Sequence, residues 1–191
     1  MRALYILRHS LTEANERRLY CGASDWPLSE TGRALALRRR EAMALPACEL
    51  YVSSGLRRAD ETLALLAGRE ANVSLPDLQE MDFGAFEGLC YESLKADAAY
   101  LRWIEDETGE IACPGGESRD SFNARALRGG SALLAMKWHS ALLICHGGVI
   151  VALMRAWFPQ SPRGFYDWQP GPCAGYRIEF DGDMPTRFEE I

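Results

Sequence analysis

Two short apolar runs in this chain end in the same way, and that shared ending constrains the fold more than any other feature. Ala3–Leu7 (ALYIL) stops at Arg8-His9, and Ala141–Cys145 (ALLIC) stops at His146-Gly147-Gly148. Apolar runs of this length, cut off abruptly by polar residues, read as strands buried on both faces, the kind found in parallel sheets covered by helices. In an open α/β sheet, ligands bind outside the carboxyl ends of the strands. The chain has 3 histidines, and two of them stand at such ends. His9 and His146 are therefore expected to meet in one site.

The rest of the chain supplies the matching elements. Leu50–Ser53 and Asn72–Leu75 read as further strands. Ser29 caps a helix expected to run to about Leu45, where Pro46 ends it, and a second helix runs from Leu56 to Ala67 and closes at Gly68. Tyr91–Asp106 and Ser118–Lys137 read as helices separated by a turn at Pro114-Gly115-Gly116, and Gly147–Phe158 as a short helix. Tyr176–Phe180 and Thr186–Glu190 flank Asp181-Gly182 as a terminal hairpin. Strands alternating with helices predict one α/β domain over residues 1–191. Its form is a three-layer α/β/α sandwich with a mostly parallel central sheet and an antiparallel edge strand.

Composition narrows the function classes. Lys and Arg number 21 against 27 Asp and Glu, a net charge of −6, which gives no support to a nucleic-acid binder. A local cluster of arginines can still reverse the field inside one cleft. None of the 6 cysteines forms a CxxC pair, and no Cys/His spacing suggests a zinc site. The opening MRALYILRHS is not a signal peptide, and no apolar stretch approaches the roughly 18–20 residues of a membrane span. A cytoplasmic protein with reduced thiols, no membrane partner, and no metal or cofactor is expected.

Four segments carry chemistry. RHSLTEAN (Arg8–Asn15) sets an imidazole beside a guanidinium, whose planar fork suits phosphate oxygens. SSGLRRADET (Ser53–Thr62) brings Arg57 and Arg58 to a helix start, itself favourable to anions. LQEMDFGAFEG (Leu78–Gly88) holds Glu80, Asp82 and Glu87; the last two are expected to be solvated loop or helix-cap acids. ICHGG (Ile144–Gly148) ends the second apolar strand.

In order and type these segments resemble the motifs of the histidine phosphatase superfamily, the phosphoglycerate-mutase-like family. CGASDWPLSETG (Cys21–Gly32) and PGGES (Pro114–Ser118) resemble further parts of its phosphatase branch. The resemblance implies catalytic roles for His9, Arg8, Arg58, Glu80 and His146. His9 attacks phosphorus, Arg8, Arg58 and His146 hold the phosphoryl oxygens, and Glu80 serves as acid and then base. It implies phosphate contacts from Asn15, Gly147, Cys21 and Gly22 as well. The pattern puts the pocket arginine just before the alanine, selecting Arg58 over Arg57. Ser10 departs from the usual glycine, and Cys21 from the usual Gln or Thr.

The short stretch between Glu80 and His146, with no extended tail, implies hydrolysis rather than phosphoglycerate mutase activity. The implied substrate is a small phosphomonoester, with alpha-ribazole phosphate one candidate, for a monomer or homodimer. A catalytically silent phospho-ligand binder is the alternative of another class. Trp26, Trp103, Phe122, Trp157, Phe165, Tyr166 and Trp168 are candidates for an aromatic lid. Arg119 and Arg125 are candidates for anionic groups of the substrate.

Overall fold

The computed structural model describes residues 1–191. Its centre is a 6-stranded sheet: β1 (Arg2–Arg8), β2 (Leu50–Ser53), β3 (Val73–Ser74), β4 (Ser140–Cys145), β5 (Gly175–Asp181) and β6 (Met184–Glu190), in the order β3-β2-β4-β1-β5-β6. Neighbours among β3, β2, β4 and β1 pair in parallel. β5 runs antiparallel to β1, and β6 antiparallel to β5. The expected hairpin therefore closes one side of the sheet with two strands, and β6 is the edge.

Side chains alternate across the strands, so each face builds its own core. Leu4, Ile6, Val52, Leu143 and Ile178 face one way, packing with Val149, Ile150 and Leu153 of α7 (Gly147–Trp157) and Phe122 and Leu133 of α6 (Arg119–Leu134). Leu7, Tyr51, Leu142 and Ile144 face the other way. They meet Ala36 of α2 (Glu30–Met43) and Ala59, Leu63 and Leu66 of α3 (Arg57–Ala67). The result is the three-layer sandwich that the pattern predicts.

One local expectation changes. Tyr91–Asp106 is not one helix but two, α4 (Tyr91–Leu94) and α5 (Ala98–Ile104). Asp97 breaks it: its carboxylate accepts from the N–H groups of Ala99 (2.8 Å) and Tyr100 (2.9 Å), starting α5 afresh. Within the long loop after β1 lies a short helix, α1 (Glu13–Glu16), closed by a capping box between Thr12 and Asn15.

The register fixes the site. Arg8 pairs with Cys145 across the parallel ladder, so the next residue of each strand, His9 and His146, leaves the sheet at the same edge. The His9 N–H donates to the Cys145 carbonyl at 2.9 Å, extending the ladder to the histidine itself.

Candidate active site

His9 is 4% exposed, and its Nδ1 lies 2.5 Å from the Ser10 carbonyl oxygen. A carbonyl only accepts, so Nδ1 carries the proton and Nε2 keeps its lone pair. Burial, then the charges of Arg58 and Arg8, push the imidazole well below its ordinary range, against the opposing pull of the Ser10 bond. The ring is thus neutral at physiological pH, with Nε2 available as a nucleophile. The Ser10 side chain is committed away from His9: its hydroxyl donates to the Gly32 carbonyl (2.7 Å), and the Ser10 N–H donates to Thr62 Oγ1 (2.9 Å). Thr62, a buried residue of α3, thus steadies the backbone after the histidine.

His146 is fully buried at the N-cap of α7, its ring centroid 5.1 Å from that of His9. Its Nε2 lies 2.8 Å from Ser54 Oγ, which also takes the Leu56 N–H at 3.4 Å. With Ser54 donating to Nε2, the proton sits on Nδ1, and Nδ1 is buried with no protein partner. Ser54 escaped the sequence reading, although it stands within the SSGLRRADET segment.

Arg58, not Arg57, is the buried arginine: it is 0% exposed, whereas the Arg57 side chain is 57% exposed and turns to Glu61. Arg58 donates through Nη1 to the Ser24 carbonyl (2.8 Å) and through Nη2 to the Gly22 carbonyl (2.6 Å), while its Nε has no protein partner. Those carbonyls are aimed by Glu87. Its carboxylate accepts the N–H groups of Gly22 (3.0 Å), Ala23 (2.9 Å) and Ser24 (3.4 Å), and that of Phe83 (3.1 Å). Glu87 is therefore a half-buried clip rather than a solvated acid. Asp82 does act as the expected local cap, accepting from the Gly84 N–H at 2.8 Å.

The phosphate contact expected of Gly22 needs correction. Its N–H is committed to Glu87 and its carbonyl to Arg58, so its backbone shapes the pocket wall. Only glycine fits there, since a Cβ would stand 1.6 Å from the Met81 carbonyl oxygen. The neighbouring Cys21 is half-buried; burial raises its thiol, and Arg58 pulls the other way.

Arg8 is half-buried, donating through Nη1 to the Pro170 carbonyl (3.1 Å), with its Nε lacking a protein partner. Asn15 spends its side-chain oxygen on the Thr12 N–H (3.1 Å) and hydroxyl (3.0 Å), which leaves its amide hydrogens as its means of reaching an anion. Glu80 joins the histidines through α7: its carboxylate accepts from the Gly148 N–H and from its neighbour Met81, both at 3.0 Å. A Cβ at Gly148 would come 2.4 Å from Glu80 Oε1, so the Gly-Gly start of α7 admits the carboxylate. Gly147 opens the helix beside Gln169.

The candidates for a lid and for further anion contacts are mostly engaged elsewhere. Arg125 is bound bidentately to Glu117, and Arg119 faces Asp106 at 3.6 Å. Trp103, Phe122 and Trp168 are buried core, and Trp157 packs edge-on against Phe180. Of the proposed lid, only Phe165 and Tyr166 stand well out of the fold, 47% and 84% exposed. No group of three or more His, Cys, Asp or Glu side chains is placed to hold a metal ion.

The arrangement thus gathers three buried N–H donors without protein partners, Arg8 Nε, Arg58 Nε and His146 Nδ1, with a neutral imidazole and a carboxyl. A buried donor left unpaired costs about 1–3 kcal/mol, and a tetrahedral oxyanion has the oxygens to relieve all three.

The profile of the histidine phosphatase superfamily (branch 1) matches residues 4–188. Over 168 residues the chain is 38% identical to glucosyl-3-phosphoglycerate phosphatase of Mycobacterium tuberculosis, covering 81% of this chain and 74% of that protein. It is 30% identical over 207 residues to a 2,3-bisphosphoglycerate-dependent phosphoglycerate mutase of Xanthobacter autotrophicus, covering 97% and 96% of the two. The fold matches the crystal structure of alpha-ribazole phosphatase from Shigella flexneri with a TM-score of 0.87 at 23% identity, over 96% of this chain and 93% of that one. The match runs from the first strand to the last, and the two strand-end histidines lie within it: this chain belongs to the histidine phosphatase superfamily.

Proposed function

We propose that His9 is the nucleophile of a metal-independent phosphomonoesterase and that Glu80 is its acid and base. The observation that carries this reading is the neutral His9 ring, its Nδ1 tied to a carbonyl and its Nε2 left free beside two arginines. Nε2 attacks phosphorus; the P–O bond to the leaving group breaks as Glu80 delivers a proton to that oxygen. Glu80, now ionised, takes a proton from water, whose oxygen displaces His9 from phosphorus and frees inorganic phosphate. The Ser10 carbonyl stabilises the positive charge that the ring acquires while phosphorylated. Arg8, Arg58 and His146 bear the charge of the transferring group, the largest contribution in such reactions. Asn15, Cys21 and Gly147 are assigned further contacts to the phosphate.

The substrate that best suits the relatives is a phosphorylated small metabolite carrying a sugar, as glucosyl-3-phosphoglycerate and alpha-ribazole phosphate do. Phosphoglycerate interconversion is the second reading, on the strength of the full-length match to a mutase. The whole chain acts as one phosphatase domain, as a monomer or homodimer without nucleic acid. Its 6 free thiols suit the reducing cytoplasm.

The test is to quench turnover of a ³²P-labelled ester and examine the protein. An acid-labile, base-stable label on His9, formed equally with and without chelator, is the expected result. Turnover that needed a divalent ion, or a label stable to acid, would overturn the mechanism. Assay of glucosyl-3-phosphoglycerate, alpha-ribazole phosphate and 3-phosphoglycerate in parallel separates hydrolysis from mutase activity.

The Glu87 clip yields a prediction of its own. Glu87→Ala frees the backbone of residues 22–24, which no longer presents two carbonyls to Arg58. We expect kcat/KM to fall about 10–100-fold, with the inhibition constant of inorganic phosphate rising alongside, since four N–H groups, three of them in residues 22–24, lose their charged acceptor. Unchanged phosphate inhibition would show that Arg58 holds its place without the clip.

A further inference from the structure

We propose that Arg125 and Glu117 are positioning residues for Glu80, an inference that rests on the role given to Glu80 above. Glu80 lies in an irregular segment between two 3-10 turns, Pro76–Leu78 and Gly84–Phe86, with no helix or strand of its own to hold it. A proton donor must nevertheless be held to within a fraction of an ångström, because a misplacement of about 1 Å costs roughly 10²-fold in rate.

The hold comes from α6. Arg125 donates through Nη1 to the carbonyls of Asp77 (3.1 Å) and Gln79 (2.9 Å), and through Nη2 to that of Glu80 itself (3.1 Å). Its other N–H groups bind Glu117 as a fork, Nε to Oε1 at 2.7 Å and Nη2 to Oε2 at 2.6 Å. Glu117 closes the ring from the far side. Its Oε2 accepts the Asp82 N–H (3.0 Å), and its own N–H donates to the Asp82 carbonyl (2.8 Å).

One ion pair thus grips the backbone from residue 77 to residue 82, while the Glu80 carboxylate is tied at its tip to Gly148. Burial works against ionisation of Glu117, yet the Arg125 bonds hold its carboxyl below the usual range. The turn that delivers Glu117 is itself fitted to the segment. A Cβ at Gly116 would stand 2.4 Å from the Asp82 carbonyl oxygen, and the Ala85 N–H donates to Pro114 at 2.8 Å. Lysine cannot replace this arginine, since one ammonium lacks the planar fork that serves a carboxylate and three carbonyls together.

A positioning role differs from general support in its dependence on the leaving group. An acidic phenol departs without a proton, whereas an alkanol needs one. kcat/KM, which reports phosphorylation of the enzyme, should therefore be compared for p-nitrophenyl phosphate and β-glycerophosphate. Arg125→Lys and Glu117→Gln are the variants, with Glu80→Gln as the reference. For both variants we expect a loss of about 10–100-fold on β-glycerophosphate and less than about 3-fold on p-nitrophenyl phosphate. In the Glu80→Gln background, Arg125→Lys should cost nothing further on β-glycerophosphate.

Equal losses on the two esters, or an undiminished further loss in the Glu80→Gln background, would overturn the positioning role. If Glu80→Gln itself treated both esters alike, the assignment of Glu80 would fall instead, and this inference with it. If Arg125→Lys failed to fold, Glu117→Gln, which retains an acceptor for Arg125, would decide the matter by the same comparison.

Discussion

His9→Ala is expected to reduce kcat by roughly 10⁴–10⁶-fold, the scale on which enzymes respond when a nucleophile that acts as part of a unit is removed. The phosphoenzyme label should vanish with it. A second readout is independent of activity. His9 and His146 are both buried, and burial with two neighbouring guanidiniums holds each well below the ordinary imidazole range. Above about pH 7.5 neither the folded nor the unfolded chain is appreciably protonated at these positions, so they contribute little pH dependence. As pH falls below that value, the unfolded chain takes up a proton on each ring and the fold does not. Stability therefore falls, with a slope approaching about 1.4 kcal/mol per pH unit for each histidine. Denaturant unfolding between pH 5 and 6.5 should show His9→Ala with about half the wild-type contribution of these two rings. The slope is separate from the constant cost of the cavity that alanine leaves. A variant with the full wild-type slope would mean that His9 takes up a proton in the fold as readily as in the unfolded chain, and that the pocket does not hold its imidazole below the ordinary range.

The same two histidines show why so much of this site was legible. ALYIL and ALLIC had to be buried strands, and their parallel pairing turns two distant strand ends into one edge. Motif position separates Arg58 from Arg57, and Arg58 is also the buried one of the two. What stayed hidden acts through the backbone. Glu87 reaches Gly22, Ala23 and Ser24, and Arg125 reaches Asp77, Gln79 and Glu80, contacts that exist only once the chain is folded. N–H and carbonyl groups are the same in every residue, so no residue type in the sequence marks the partner. Asp97 was missed for a related reason: as a helix N-cap it looks, in sequence, like any acid on a helical face. Trp103 and Phe122 could be no more than lid candidates, because an aromatic side chain serves a core as well as a lid, and only packing distinguishes the two.

Arg58→Lys tests the electrostatic half of the site. Arg58 is wholly buried, and its partners are two carbonyls rather than a carboxylate, so its charge is left for whatever anion enters. Lysine keeps the charge but cannot reach the Gly22 and Ser24 carbonyls while also meeting a phosphoryl oxygen along a third direction. We expect kcat/KM to fall about 10²–10³-fold, the cost of losing one fixed donor from a site of developing negative charge. Inorganic phosphate supplies the complementary measurement. Bound only by the folded form, it should raise the wild-type melting temperature, reaching a stabilisation of about 2.7 kcal/mol when its concentration is 100 times its Kd. Arg58→Lys should lose most of that gain at the same concentration. A variant that kept the full phosphate-dependent gain while losing turnover would assign ground-state anion binding to Arg8 and His146. Arg58 would then act only on the charge that develops during transfer.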